Sequence, residues 1–199
     1  MQATATYPEF LDGIDAVCFD AFGTLVAIGD PRRPFRKLGR LLGRGAANPM
    51  TASLTLAEWS DGRVDAETLS SLEAELAQEV SSVAMREGMA DAWKRLRARC
   101  LRIGVCSNLA APYGPPLQAA LPDRPDAWVL SYEVGLAKPD PLIFAVVAER
   151  LGSDPGRILF VGDTPSHDVI PARLAGMSAM PIAEFEAAMA GTARPRPRS

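Results

Sequence analysis

Five short apolar runs, separated by amphipathic stretches, constrain this chain more than any other feature. They are residues 14–19, "LRIGVCS" (101–107), "AWVLSY" (127–132), "RILFVGD" (157–163) and "MSAMPI" (177–182). Their apolar residues are continuous rather than alternating, which is the pattern of strands covered on both faces. Between them lie helical patterns in "GMADAWKRLRAR" (88–99), "DPLIFAVVAERLG" (140–152) and "SHDVIPARLAG" (166–176). Two of these end in Gly, and "KPDP" and "TPSHD" place Pro and capping residues at the helix starts. The alternation predicts an α/β fold in which helices cover a parallel sheet.

Residues 30–87 break the alternation. Only helical patterns are visible there, including "DAETLSSLEAELAQEV" (65–80), which sets Leu69, Leu72, Leu76 and Val80 on one face. An insert at this point lies beside the carboxyl edge of the sheet, where α/β proteins bind ligands, and so is a candidate cap. The predicted division is a first part of the core (1–29), a helical cap (30–87), the remainder of the core (88–186) and a tail (187–199). The tail ends in "GTARPRPRS", which alternates Arg and Pro without apolar anchors and is expected to be disordered. A chain of 199 residues with 48% hydrophobic content suits one core and a small accessory unit. Trp59, Trp93 and Trp128 read as packing residues of core or cap.

A net charge of −3, with 21 basic and 24 acidic residues interspersed, suggests neither a nucleic-acid groove nor a polybasic membrane patch. A small-molecule partner is the expectation, and oligomeric state is left open. The basic clusters at 31–44 and 93–102 read as solvated helix faces. Cys18, Cys100 and Cys106 do not form an even disulfide set, which suits a reducing cytoplasm. The first residues show no basic leader or apolar signal region, and no apolar run reaches the length of a membrane span. A soluble cytoplasmic protein is therefore expected.

Polar residues with chemical potential fall at strand ends or helix starts: Asp20 with Thr24, Ser107 with Asn108, Lys138, and Asp163 with Asp168. Singly they are ordinary capping and turn residues. Their shared position matters more, because the carboxyl ends of parallel strands converge on one crevice.

In order, "FDAFGTLV", "VCSNLA", Lys138 in "GLAKPDPLIF" and "FVGDTPSHDVIPARLAGM" resemble the four motifs of the haloacid dehalogenase superfamily of hydrolases. The resemblance spans roughly residues 14–182 and implies a parallel Rossmann-like core with a small all-helical cap after the first motif. It implies that Asp20 is the nucleophile, that Thr24 and Ser107, with Asn108 beside it, bind or position the transferring group, and that Lys138 neutralises charge. It further implies a Mg²⁺ site made by Asp20, Asp163 and the backbone carbonyl of Phe22, with Asp168 supporting the metal's water shell or Lys138. The substrate implied is a small phosphorylated molecule.

Phe22 then defines the expected subtype. The resemblance implies a small-molecule phosphatase acting through a phospho-aspartyl intermediate on Asp20. It would be atypical, because Phe22 replaces the acid that phosphatases of this superfamily carry there. General acid–base catalysis contributes about 10²- to 10⁴-fold, so a weak phosphomonoesterase is expected. The alternatives are a metal-independent 2-haloacid dehalogenase and a non-catalytic binding or regulatory protein. His167, the chain's single histidine, is a candidate substitute acid. With an ordinary pKa of about 3.9 Asp20 is ionised; without a cation, Asp20 and Asp163 would repel and push one carboxyl toward protonation.

Overall fold

The computed structural model describes residues 9–43 and 48–191. The chain enters through β1 (Ala16–Phe19), buried at every position, and passes to a short β2 (Val26–Ile28). Helices α1 (Pro34–Leu42), α2 (Leu56–Ser60) and α3 (Ala66–Ser81) follow, and β3 (Val83–Met85) brings the chain back. The rest runs through α4 (Met89–Ala98), β4 (Arg102–Ser107), α5 (Gly114–Ala120), β5 (Ala127–Leu130) and α6 (Ser131–Val134). It finishes with α7 (Pro141–Leu151), β6 (Ile158–Gly162), α8 (Val169–Leu174), β7 (Ser178–Pro181) and α9 (Ile182–Gly191).

The five-stranded sheet has the order β5-β4-β1-β6-β7 with every pairing parallel. Its two faces make separate apolar layers, as continuous apolar runs require. On one, Phe19 and Ile103 of the sheet pack against Trp93 and Leu96 of α4 and Phe185 of α9; on the other, Phe160 packs against Ile143, Phe144 and Val147 of α7. The helical insert has its own core of Phe35, Leu38, Leu56, Trp59 and Leu72. The parallel sheet, its helical cover and the helical cap match the sequence expectation.

Three local departures have identifiable causes. Residues 83–85, read as part of an all-helical segment, form β3, which pairs antiparallel with β2. This two-stranded ribbon is the stem of the cap, and three-residue strands are too short to show a period. The run 127–132 stops as a strand at Leu130, because the buried Ser131 begins a helical turn and its Oγ accepts from Leu109 N at 3.0 Å. Residues 187–191, expected in the tail, are helical, with Met189 buried against the core. The tail expectation for 192–199, the reading of residues 1–8, and Arg44 of the first basic cluster lie outside the described residues.

Candidate active site

Strand order brings the polar residues together. β1 lies between β4 and β6, so Asp20, Ser107 and Asp163 emerge from neighbouring strands at one edge of the sheet. They line a cavity of about 190 Å³ together with Phe22, Asn108 and Lys138. Thr164, His167 and Asp168 complete the wall. A groove of about 870 Å³ past Asp123, Trp128 and Arg150 is larger. Two of its acids, however, are already paired with Arg97 of α4, Asp123 at 3.0 Å and Asp126 beside it.

Local backbone geometry sets each side chain. After β1, Asp20 N donates to Val161 O at 2.9 Å, and Leu25 N and Val26 N both donate to Ala21 O, at 2.8 and 2.9 Å, folding residues 21–26 into a tight turn. Gly23 occupies it with φ +91°, where an added Cβ would lie 2.1 Å from Asp163 Oδ2. Only glycine admits both that dihedral and that approach. Gly162 plays a similar part for Asp168, since an added Cβ would lie 2.3 Å from the Asp168 Cβ.

Lys138 is the electrostatic centre. Its Nζ donates to Asp20 Oδ1 at 2.7 Å and to Asp168 Oδ1 at 2.6 Å, and the side chain is almost fully buried. Asn108 fixes its backbone by accepting from Lys138 N at 2.8 Å and donating to Lys138 O at 2.7 Å. Asp168 also accepts from Thr164 N at 2.9 Å. Asp163 is exposed, and its Oδ1 accepts from Thr164 Oγ1 at 3.0 Å. Carboxylate oxygens of Asp20, Asp163 and Asp168 all lie within 4.8 Å of one another.

Burial pushes the Asp20 carboxyl above its ordinary 3.8; Lys138 opposes the rise, while Asp168 and then Asp163 add to it. Desolvation is thus the main cause, ahead of the Asp163 repulsion expected from the sequence. For Lys138 burial works against the charge, but Asp20 foremost and Asp168 outweigh it and hold its pKa above the usual 10.5. A single lysine among three carboxylates leaves a net negative, oxygen-rich site. That donor set fits a hard divalent cation such as Mg²⁺.

The geometry corrects the expectation of a phosphatase set apart by Phe22 standing in for an acid. What defines the site is the cluster Asp20, Asp163 and Asp168. Phe22 lines the cavity and packs its ring edge-on against Tyr113 at 5.9 Å. Reading along the first motif placed the weight on one position two residues after Asp20, whereas the sheet delivers the further carboxylates from beyond β6. Asp168, read as supporting, has an oxygen within reach of the other two.

Thr24 lies fully buried and does not line the cavity, and its Oγ1 has no hydrogen-bond partner among the described residues. His167 lines the cavity with Nδ1 3.1 Å from Ser166 Oγ. Sequence reasoning missed Thr164, although its place between the two acids in "GDTPSHD" marks a turn whose N–H can cap a carboxylate. It also missed Glu79 and Tyr113, which meet through a 2.7 Å hydrogen bond between cap and core.

The sequence pattern described as "Hydrolase: haloacid dehalogenase-like hydrolase" matches residues 14–176. Phosphatase MT3486 of Mycobacterium tuberculosis is 32% identical over 195 residues, covering 83% of this chain and 86% of that protein. A phosphoserine phosphatase of Thermus thermophilus is 44% identical over 52 residues, which span 26% of this chain and only 21% of that protein. An HAD family enzyme from Bacteroides thetaiotaomicron, solved in complex with magnesium and inorganic phosphate, shares the fold. Its TM-score is 0.66 at 24% identity, covering 84% of this chain and 93% of that one. The ordered motifs, the capped parallel sheet and the match over most of its length together establish that the chain belongs to the haloacid dehalogenase-like hydrolases.

Proposed function

We propose that this protein hydrolyses small phosphate monoesters at a Mg²⁺ site built on Asp20, Asp163 and Asp168. The convergence of those three carboxylates within 4.8 Å, with Lys138 as their buried counter-charge, carries the reading. The phosphatase names of its relatives, and the magnesium and phosphate bound to an enzyme of the same fold, support it.

Asp20, Asp163 and the backbone carbonyl of Phe22 would hold the ion, with Asp168 acting through retained water because both its oxygens already accept hydrogen bonds. When bound, Mg²⁺ neutralises charge on the phosphoryl oxygens. Asp20 is the nucleophile. Lys138 shares its ammonium between Asp20 and Asp168 and so holds the nucleophile in place. Ser107 and Asn108 present polar groups to the transferring group from the end of β4. A cavity of about 190 Å³ suits a phosphoryl group with a short leaving group. The buried Cys18 and Cys106, and the absence among the described residues of any helix long and apolar enough to cross a membrane, support placing the protein in the cytoplasm.

Orthophosphate release from a panel of small phosphate esters tests this directly. Turnover should require Mg²⁺, vanish with EDTA, and fall by on the order of 10³-fold or more in Asp20→Asn. Turnover that persists in EDTA, or in the variant, would overturn the assignment.

A further inference from the structure

We propose that Tyr113 and Glu79 form a positioning pair that holds the cap in register over the cavity and fixes the Phe22 wall. The kinetic consequence rests on the phosphate-ester reading; the structural one does not.

Glu79 lies in the last turn of α3 and is 3% exposed. A carboxylate so buried is tolerated only where donors replace its water. Its Oε1 accepts from Tyr113 Oη at 2.7 Å, and its Oε2 accepts from the backbone N–H groups of both Arg32 and Arg33. These donors come from separate parts of the chain. Arg32 and Arg33 lead out of β2 into α1, and Arg33 is held at φ +59°, a left-handed conformation unusual for a side-chain-bearing residue. Tyr113 belongs to the core, in the turn that follows β4 and the Ser107–Asn108 loop. One carboxylate therefore joins the outgoing end of the cap, its returning helix and the catalytic core.

The tyrosine ring carries the link to the cavity. It meets Phe22 edge-on at 5.9 Å and Phe35 of the cap at 6.0 Å. Among the partly buried hydrophobic side chains of the described residues, Tyr113 alone packs against both the core cluster and the cap cluster. Burial and the neighbouring Glu79 push the phenol well above its ordinary pKa, so the hydroxyl stays a donor. Loss of either partner should lower the fraction of molecules whose cap and Phe22 are set for substrate. Apparent affinity then falls by that fraction, while turnover of the bound complex is unchanged.

Tyr113→Phe and Glu79→Gln, assayed with the small monoester phenyl phosphate and Mg²⁺, should each raise KM on the order of tenfold and leave kcat within about twofold. The double variant should be no worse than either single one. Asp65→Ala, which removes the N-cap of the same helix, should leave KM alone. Amide exchange at Arg32 and Arg33 should accelerate on the order of tenfold in both single variants whether or not phenyl phosphate is hydrolysed. Inactive wild-type protein would sink the reaction assignment only. Unchanged exchange at Arg32 and Arg33, a fall in kcat at constant KM, additive single effects, or an equal KM rise in Asp65→Ala would each overturn the positioning role.

Discussion

At Gly23 a missing side chain matters as much as any present one. Its positive φ and the 2.1 Å that an added Cβ would leave to Asp163 Oδ2 mean that even a methyl group must displace an acid from the cluster. Gly23→Ala should cost about 1–3 kcal/mol of stability, read from denaturant melts, through the left-handed dihedral. It should also cut phosphate release by more than tenfold, because Asp163 cannot hold its position. Wild-type kinetics in that variant would show that Asp163 tolerates displacement. The contact of Gly23 with an acid far along the chain exists only once β1 and β6 are paired, so nothing within "FDAFGTLV" could show it. The motif resemblance already set Lys138 as a counter-charge and Asp168 beside the metal's water shell or Lys138; that one ammonium is shared between Asp20 and Asp168 is what the structure adds.

Among the elements, the core strands were readable because burial on both faces leaves an unbroken apolar run. The stem strands β2 and β3 were not, since three residues carry no period and their pairing partner is distant in sequence. On α3 the expected apolar face is present at Leu72, with Leu69 and Leu76 partly buried, yet Glu79 is buried on the same helix. A pattern of hydrophobic spacing has no means of flagging a buried acid whose donors are backbone groups elsewhere. The cluster at 93–102 is likewise more than a solvated face. Arg97 of α4 pairs with Asp123 and Asp126, and Ile103 N of β4 donates to Asp126 Oδ2 at 2.6 Å, pinning the entry to β5.

That contact gives a pH prediction. Partial burial alone would raise the Asp126 pKa, but the hydrogen bonds from Ile103 and Arg97 outweigh it and hold the carboxyl below 3.8. The folded state thus binds protons less readily than the unfolded one. The stabilisation is complete above about pH 3.8 and is lost as pH falls through the lower folded value. Wild type should therefore melt above Asp126→Asn near neutral pH, with the gap closing below pH 3.8. A gap that stayed constant into acid would contradict the assignment.

For the whole molecule, topology does what no local motif can. The order β5-β4-β1-β6-β7 puts the ends of β4, β1 and β6 side by side, so residues scattered from Asp20 to Asp168 share one small cavity. Motif order foretold that gathering. Weight placed on Phe22 did not survive it, because the acidity of the pocket is a property of the assembled edge and not of one position in one loop.

The central claim is that this edge forms a magnesium site, and calorimetric titration of the wild-type protein and Asp163→Asn with Mg²⁺ tests it most directly. Wild type should bind about one ion per chain, and the variant should bind it on the order of a hundredfold more weakly while keeping the wild-type circular dichroism spectrum. Equal binding by the two proteins, or none by wild type, would contradict it.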